Sequence, residues 1–271
     1  MIAPVSAIIP CYNSQSTLER AVISVYRQTV QPAELILIDN CSGDETVSLM
    51  RALQSRFGND WIRVVQNEVN IGVASSRNRA WNLASQPYVA FLDSDDSWHS
   101  RKIEIQYGYM SKHPAKIVTG HGFAILRGEA VESVIGDVLP IRPRPIGQLL
   151  LKNYFVTPGI MLKRDIPERY QEGRCDMEDH LLVIELCFQY GEIDEIQLPL
   201  AYLYKAQIGD GGLGSNLWRM ERGELQNYRY LVSNGRISFI TAAALSIFSL
   251  AKFIRRVLMV KIQQSAKVIK G

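Results

Sequence analysis

The chain has 271 residues, 47% hydrophobic and 21% charged, which allows a sizeable core and excludes a disordered or collagen-like chain. Net charge is +3, but residues 225–271 hold eight Lys or Arg and no Asp or Glu, leaving 22 basic against 27 acidic side chains in residues 1–224. A basic tail on a mildly acidic body suits an anionic surface. With aromatic-rich RNA-binding signatures missing, phospholipid is favoured and nucleic acid is not expected as a partner.

The N-terminal MIAPVSAIIPCYN has no basic stretch before its apolar run, and Pro10 cuts that run short, so it reads as a first strand and not a signal peptide. Val5–Pro10 is short and β-branched. The run Ser16-Thr17-Leu18-Glu19 reads as a capping box opening a helix that carries Leu18, Ala21, Val22 and Val25. Glu34–Asp39 (ELILID) is a strand, 44–57 a helix, Ile62–Gln66 a strand, Val73–Ala84 a helix and Tyr88–Leu92 a strand. This alternation implies βαβ units in an α/β, mostly parallel sheet, whose ligands lie at the strands' carboxyl ends. After about residue 115 the alternation weakens. Lys116–Leu126 and Phe155–Lys163 read as strands, joined through a stiff PIRPRP connector at 140–145. Met177–Gln189 reads as a helix with an acidic start, Leu198–Lys205 as a strand and 208–216 as a glycine-rich loop. Cys11, Cys41, Cys175 and Cys187 form no CxxC pair, which suits reduced thiols in a cytosolic setting.

No GxGxxG follows the first strand, no P-loop, HExxH or GxSxG exists, and the four histidines are dispersed. Three strand ends are polar instead: PCYN at 10–13, DNCS at 39–42 and DSDD at 93–96. Asp93 and Asp95 follow the apolar run YVAFL, and carboxylates packed this closely repel one another. In a turn they can converge on a hard cation, Mg²⁺ or Mn²⁺, which prefers to share its shell with substrate phosphates. The plain alternative is a turn followed by a helix capped by Asp96 or Ser97. An aspartate-nucleophile phosphatase also has a DxD, but on its first strand; here the motif lies on about the fourth.

The pieces VSAIIPCYN (5–13), LILIDNCSGDET (35–46), NIGVASSRNRA (70–80), YVAFLDSDDSW (88–98) and MEDH (177–180) together resemble a family 2 glycosyltransferase with the GT-A nucleotide-sugar-binding fold. The resemblance covers roughly residues 3–205. It implies a Rossmann-like, mostly parallel sheet flanked by helices, with a nucleotide-binding half to about 115, an acceptor half to about 220 and a helical tail over 221–271. It implies that Pro10, Tyr12, Asn13 and Asp39 hold the base and ribose of a nucleoside diphosphate sugar, a UDP-sugar first among donors. Arg77 would point at the nucleotide, with Asp93 and Ser94 beside the sugar or ribose. Asp95, partnered by Asp93, would hold Mn²⁺ or Mg²⁺, and Asp96 would be the replaceable third acid. Asp179 would be the catalytic base with Glu178 the fallback, Trp98 an acceptor contact and Lys205 a diphosphate contact. The sugar would be transferred with inversion to a carbohydrate or lipid-linked acceptor in bacterial-type surface polysaccharide or glycolipid synthesis. Plain alternatives stand beside these roles: Asp39 as a turn aspartate, Arg77 as a surface arginine, and Glu178 and Asp179 as acids favouring a helix dipole.

The chain departs from the family pattern at Asn40, where a second acid is usual, at Cys41, where glycine is usual, and at Arg79-Ala80. Its C-terminal strand ends YKAQ, where an Arg and His pattern often meets the diphosphate. Two other classes are weighed: a metal-dependent nucleotidyltransferase, whose Gly-rich basic first loop is absent here, and a non-catalytic sugar-nucleotide binder. In the tail, Ile237–Ile254 has one charge, Lys252, and a stripe of Ser238, Thr241, Ser249, Lys252, Arg256, Gln263, Lys267 and Lys270, interrupted by Leu245 and Met259, lies opposite a wide apolar face. Interfacial membrane binding at the inner face of the plasma membrane, packing on the body or a dimer partner, and a span all remain open.

Overall fold

The structure is a computed structural model that describes residues 1–126, 135–136, 138–174, 176–204 and 217–269, with side chains through Met259. It divides into two compact units, Met1–Tyr204 and Lys205–Gly271, earlier than the boundary at 220 expected from the sequence.

The first unit is built on one sheet of nine strands among the described residues, in the order β3-β2-β1-β4-β8-β6-β9-β5, with β7 on β9. Strands β1 (Ile2–Cys11), β2 (Gln31–Asp39), β3 (Ile62–Gln66) and β4 (Tyr88–Phe91) are mutually parallel, as the alternation predicts. The helices between them are α1 (Leu18–Tyr26), α2 (Thr46–Phe57) and α3 (Val73–Leu83). β1 lies between β2 and β4 and is buried on both faces, hence its near-continuous apolar run. Val5, Ala7 and Ile9 on one face share a core cluster with Leu18, Val22 and Val25 of α1. On the other side of the sheet, Trp81 of α3 meets Phe91 and Tyr170 edge-on. The capping box does not form. Thr17 and Leu18 N–H donate to the Ser14 carbonyl, and the Glu19 carboxylate pairs with Arg56 at 2.9 Å.

Beyond β4 the sheet becomes mixed. β5 (Ser97–Trp98) follows the acidic turn directly, and α4 (Lys102–Lys112) begins later, so Asp96 and Ser97 cap no helix. β6 (Val118–Ile125) runs parallel to β9 (Ile193–Leu203), which is longer than the expected strand, and antiparallel to β8 (Met161–Lys163). The expected strand over 155–163 is mostly a 3₁₀ turn, Thr157–Gly159, because Pro158 and Gly159 break the pattern. The PIRPRP stretch is not only a connector: β7 (Ile141–Arg144) pairs antiparallel with β9. An edge position tolerates Pro143, which lacks a ladder donor. Helices α5 (Ile146–Leu151) and α6 (Glu178–Tyr190) complete the unit. The glycine-rich loop, Lys205 and Cys175 lie outside the described residues.

The second unit contains α7 (Leu217–Ser233) and α8 (Phe239–Ile269). No helix among the described residues is long and apolar enough to cross a membrane.

Candidate active site

The parallel strands β1, β2 and β4 end side by side, so their polar ends share one rim. Asn13 adopts a left-handed conformation, φ 49°, that lets its Oδ1 accept from Gly43 N–H at 2.9 Å. Its own N–H donates to Ser42 Oγ at 2.9 Å, tying the ends of β1 and β2 together. Pro10 is buried inside β1, while Tyr12 is 53% exposed on the rim. Ser94 Oγ meets Ser14 Oγ at 2.8 Å, which joins the β4 end to the same loop. Asp39 is buried and accepts from Ser42 Oγ at 2.5 Å and Ser42 N–H at 3.1 Å. A carboxylate has about four acceptor positions, so Asp39 serves as turn aspartate and retains capacity for a ligand.

Asn40 and Cys41, the departures from the family pattern, acquire a local reason. Cys41 sits at φ 63°, the left-handed region where glycine costs least. Asn40 Oδ1 accepts from Ile71 N–H at 2.9 Å and Asn67 Nδ2 at 3.2 Å, while its Nδ2 donates to Asn70 Oδ1 at 2.9 Å. That last bond needs an amide donor, which an aspartate lacks. Asn40→Asp is therefore expected to lower stability by about 1–3 kcal/mol through an acceptor facing an acceptor, measured by denaturant unfolding followed by circular dichroism.

Arg77 is not a surface arginine. Its side chain is 5% exposed and forks between two carboxylates, Nη2 to Asp93 at 2.7 Å and Nη1 to Glu178 at 2.8 Å. The reason is electrostatic: in a poorly solvated pocket two acids bind a guanidinium more strongly than open solvent does. The Tyr170 ring lies 5.3 Å from the guanidinium. Burial works against the charge on Arg77, but Asp93 first, then Tyr170 and Glu178, hold its pKa above the ordinary value. Burial also pushes the Asp93 and Glu178 carboxyls upward, and Arg77 opposes that push. This one arginine brings the β4 end and the start of α6 to a common site.

The two acids of α6 are not equivalent. Glu178 is buried and bound to Arg77. Asp179 is half-buried; its Oδ1 accepts from its neighbour His180 N–H at 2.7 Å, and its Oδ2 lies 3.5 Å from Thr157 Oγ1. Burial, opposed chiefly by Arg77, raises its carboxyl above the ordinary range. Met177, just before them, takes φ 57° as the chain turns into the helix.

Around the β4 end, the Asp95 carbonyl accepts from Arg20 Nη2 at 2.5 Å, and Arg20 stacks 3.7 Å from the centre of the Tyr204 ring. Asp96 is buried, and burial first, then Asp93 and Asp95, raises it to about 8. Its N–H donates to the Asp93 carbonyl at 3.1 Å, which closes the turn. Among the described residues no three His, Cys, Asp or Glu side chains form a cluster that could hold a metal alone. The all-oxygen donor set of Asp93 and Asp95, in which Asp93 Oδ1 already carries Arg77, fits a hard cation that takes few protein oxygens and draws further ligands from a diphosphate. Trp98, expected as an acceptor contact, is 2% exposed; its Nε1 donates to Pro158 O at 2.9 Å and Lys102 Nζ lies 3.9 Å from the ring centre, so the indole packs inward. Lys205 lies outside the described residues. Sequence reasoning missed Ser14, Asn67, Thr157 and Tyr170, since each takes part through a distant partner and no local motif marks it.

Comparison with known proteins agrees with this architecture. The chain is 37% identical over 117 residues to the Escherichia coli UDP-Glc:alpha-D-GlcNAc-diphosphoundecaprenol beta-1,3-glucosyltransferase WfgD, covering 43% of this chain and 45% of WfgD. It is thus similar to, and spans about half the length of, the curated relatives it matches. Among solved structures, S. aureus TarS 1–349 in complex with UDP-GlcNAc superposes with a TM-score of 0.68 at 18% identity, over 93% of this chain and 72% of that one. The Pyrobaculum calidifontis mannosyltransferase PcManGT, in complex with GDP-Man and Mn²⁺, gives a TM-score of 0.60 at 15% identity, over 98% and 80%. At these identities the likeness concerns the fold, which is that of the GT-A transferases. The family described as glycosyl transferase family 2 matches residues 6–165, more than half of the chain, and the protein belongs to it.

Proposed function

We propose that the protein transfers a sugar from a nucleoside diphosphate sugar, a UDP-sugar first, to an acceptor hydroxyl with inversion. The observation that carries this reading is the Arg77 fork, which holds the acidic β4 end beside the acidic start of α6. Donor chemistry on one side and proton acceptance on the other are the two requirements of the reaction.

Pro10, Tyr12, Asn13 and Asp39 take the base and ribose, Tyr12 offering an exposed ring at the rim. Ser94 and Asp93 flank the ribose or sugar. Asp179 accepts the acceptor's hydroxyl proton, because Glu178 is already bound to Arg77 and Asp179 is not hydrogen-bonded to it. The acceptor oxygen then forms its bond to the anomeric carbon from the face opposite the diphosphate. The bond to the diphosphate breaks with its electron pair, and one displacement inverts the configuration. Asp95, with Asp93, is the residue set for Mn²⁺ or Mg²⁺, which when bound offsets charge on the departing diphosphate.

WfgD's name carries a UDP-sugar donor and a lipid diphosphate acceptor, TarS was solved with UDP-GlcNAc, and PcManGT with Mn²⁺. These support a UDP-sugar, a divalent cation and a carbohydrate or lipid-linked acceptor here, in surface polysaccharide or glycolipid synthesis. Work at the inner face of the plasma membrane is part of the proposal and follows from a lipid-linked acceptor. The nucleotidyltransferase reading has no structural observation in its favour.

The test is a thermal-shift panel of UDP-, dTDP-, GDP- and CMP-sugars with and without Mn²⁺. A ligand at 100 times its Kd stabilises by about 2.7 kcal/mol, so a UDP-sugar is expected to raise Tm only with the metal present. Asp95→Asn is expected to abolish that metal-dependent shift. No metal-dependent shift with any nucleotide sugar overturns the proposal.

A further inference from the structure

The second unit has an inverted polarity. Gly235, at φ 67°, ends α7, and Ser238 Oγ accepts from Thr241 N–H at 3.1 Å to start α8, so a short turn joins the two helices. Their seam is ionic. Lys252 Nζ pairs with Glu224 at 3.0 Å and Arg256 Nη2 with Glu221 at 3.2 Å, and Glu221, Asn227 and Ser249 are fully buried. α8 thus turns Ser249, Lys252 and Arg256 inward onto α7. Its apolar side is turned outward: Phe239 is 77% exposed, Ile240 81%, Ile247 70%, Ile254 57% and Leu258 55%, with Leu250 beside them at 37%. At 3.6 residues per turn these six fall within about 100° of arc. Between residues 239 and 258 no charged side chain enters that arc, and Arg255 lies about 60° beyond it. A water-facing helix places these two sides the other way round.

We infer that this outer face of α8 is a docking surface for a bilayer containing anionic phospholipid. The charge of the tail selects that occupant. Residues 217–271 contain ten Lys or Arg and two acids, Glu221 and Glu224, so the unit keeps a large positive excess after Lys252 and Arg256 are paired; two such units brought together around this charge-free face repel, whereas an anionic leaflet complements them. A span is ruled out as the mode of contact, since no helix among the described residues is apolar enough to cross a membrane. An amphipathic helix lying in the headgroup region buries such a face and leaves its opposite side to the protein. Glu221 and Glu224 keep Lys252 and Arg256 paired on that protein side, which leaves the apolar arc unbroken. The inference rests on the proposed transferase working beside a lipid-linked acceptor.

The experiment is cosedimentation of the full chain with phosphatidylcholine vesicles, with and without an equal share of phosphatidylglycerol. A UDP-glucose and Mn²⁺ thermal shift is measured on the same samples. Binding is expected on the anionic vesicles and at least about tenfold less on phosphatidylcholine, with loss at high salt. The double variant Ile247→Glu, Ile254→Glu is expected to bind at least about tenfold less while keeping the nucleotide-sugar shift. Ile247→Ser with Ile254→Ser serves as the milder pair should the first fail to fold. Absence of wild-type binding to anionic vesicles, unchanged binding by a folded variant, or a dimer that the same substitutions dissociate overturns the inference. Those outcomes leave the transferase reading intact if the nucleotide-sugar shift persists. Vesicle binding without that shift overturns the transferase reading and leaves the docking surface standing.

Discussion

Asp179→Asn is expected to lower kcat by about 10²–10⁴-fold, the span a positioned general base contributes, while the nucleotide-sugar thermal shift stays as in the wild type. The amide is close to isosteric and keeps an oxygen for His180 N–H, so folding is spared and proton acceptance is lost. Glu178→Gln is expected to cost less in turnover and more in stability, because its carboxylate is an Arg77 partner. The pH profile separates the roles. A base works deprotonated, and burial raises the Asp179 carboxyl above the ordinary carboxylate range. Activity should therefore climb as pH rises through an apparent pKa higher than that of an ordinary aspartate, then level off, and the climb should vanish in Asp179→Asn. An Asp179→Asn enzyme with wild-type turnover would remove Asp179 from the mechanism.

Arg77→Met carries the largest expected loss of stability, about 3–5 kcal/mol, because breaking a buried pair leaves uncompensated charge. Here one cation serves two acids, Asp93 and Glu178, so its removal exposes both to burial alone. The sign with pH follows from that. Without Arg77 their folded pKa values rise further above the unfolded values, so stability present at low pH is lost as pH increases through the raised values. The Tm deficit of Arg77→Met should thus be larger at pH 8 than at pH 5. Arg77→Lys retains the charge but cannot fork to both acids, and should recover only part of the deficit. Differential scanning calorimetry across pH reads both; a deficit independent of pH would mean that the arginine acts by packing.

The alternating strands and helices to Phe91 were legible because each is a local pattern, with β-branched runs and helical spacing repeated within a few residues. The rim was legible for the same reason, since parallel strands bring their carboxyl ends together whatever the side chains are. Legibility fell in the mixed half. Thr157-Pro158-Gly159 broke a strand pattern, and Ile141–Arg144 became a strand only because β9 offered a free edge.

What the sequence alone determined here is the family, the order of elements as far as Phe91 and the identity of the acids at the strand ends. Tertiary structure decided which partners those acids find. Arg77 lies 101 residues from Glu178, and no local spacing announces that pair. It leaves Asp179 as the acid without an arginine bond. Tertiary structure likewise turned Trp98 into the core and pressed Lys252 and Arg256 of α8 against Glu224 and Glu221. The physical reason is the same in each case. Periodicity fixes which residues share a face, but the partner that a charge or an indole N–H finds in a poorly solvated interior depends on distances that only the folded chain sets.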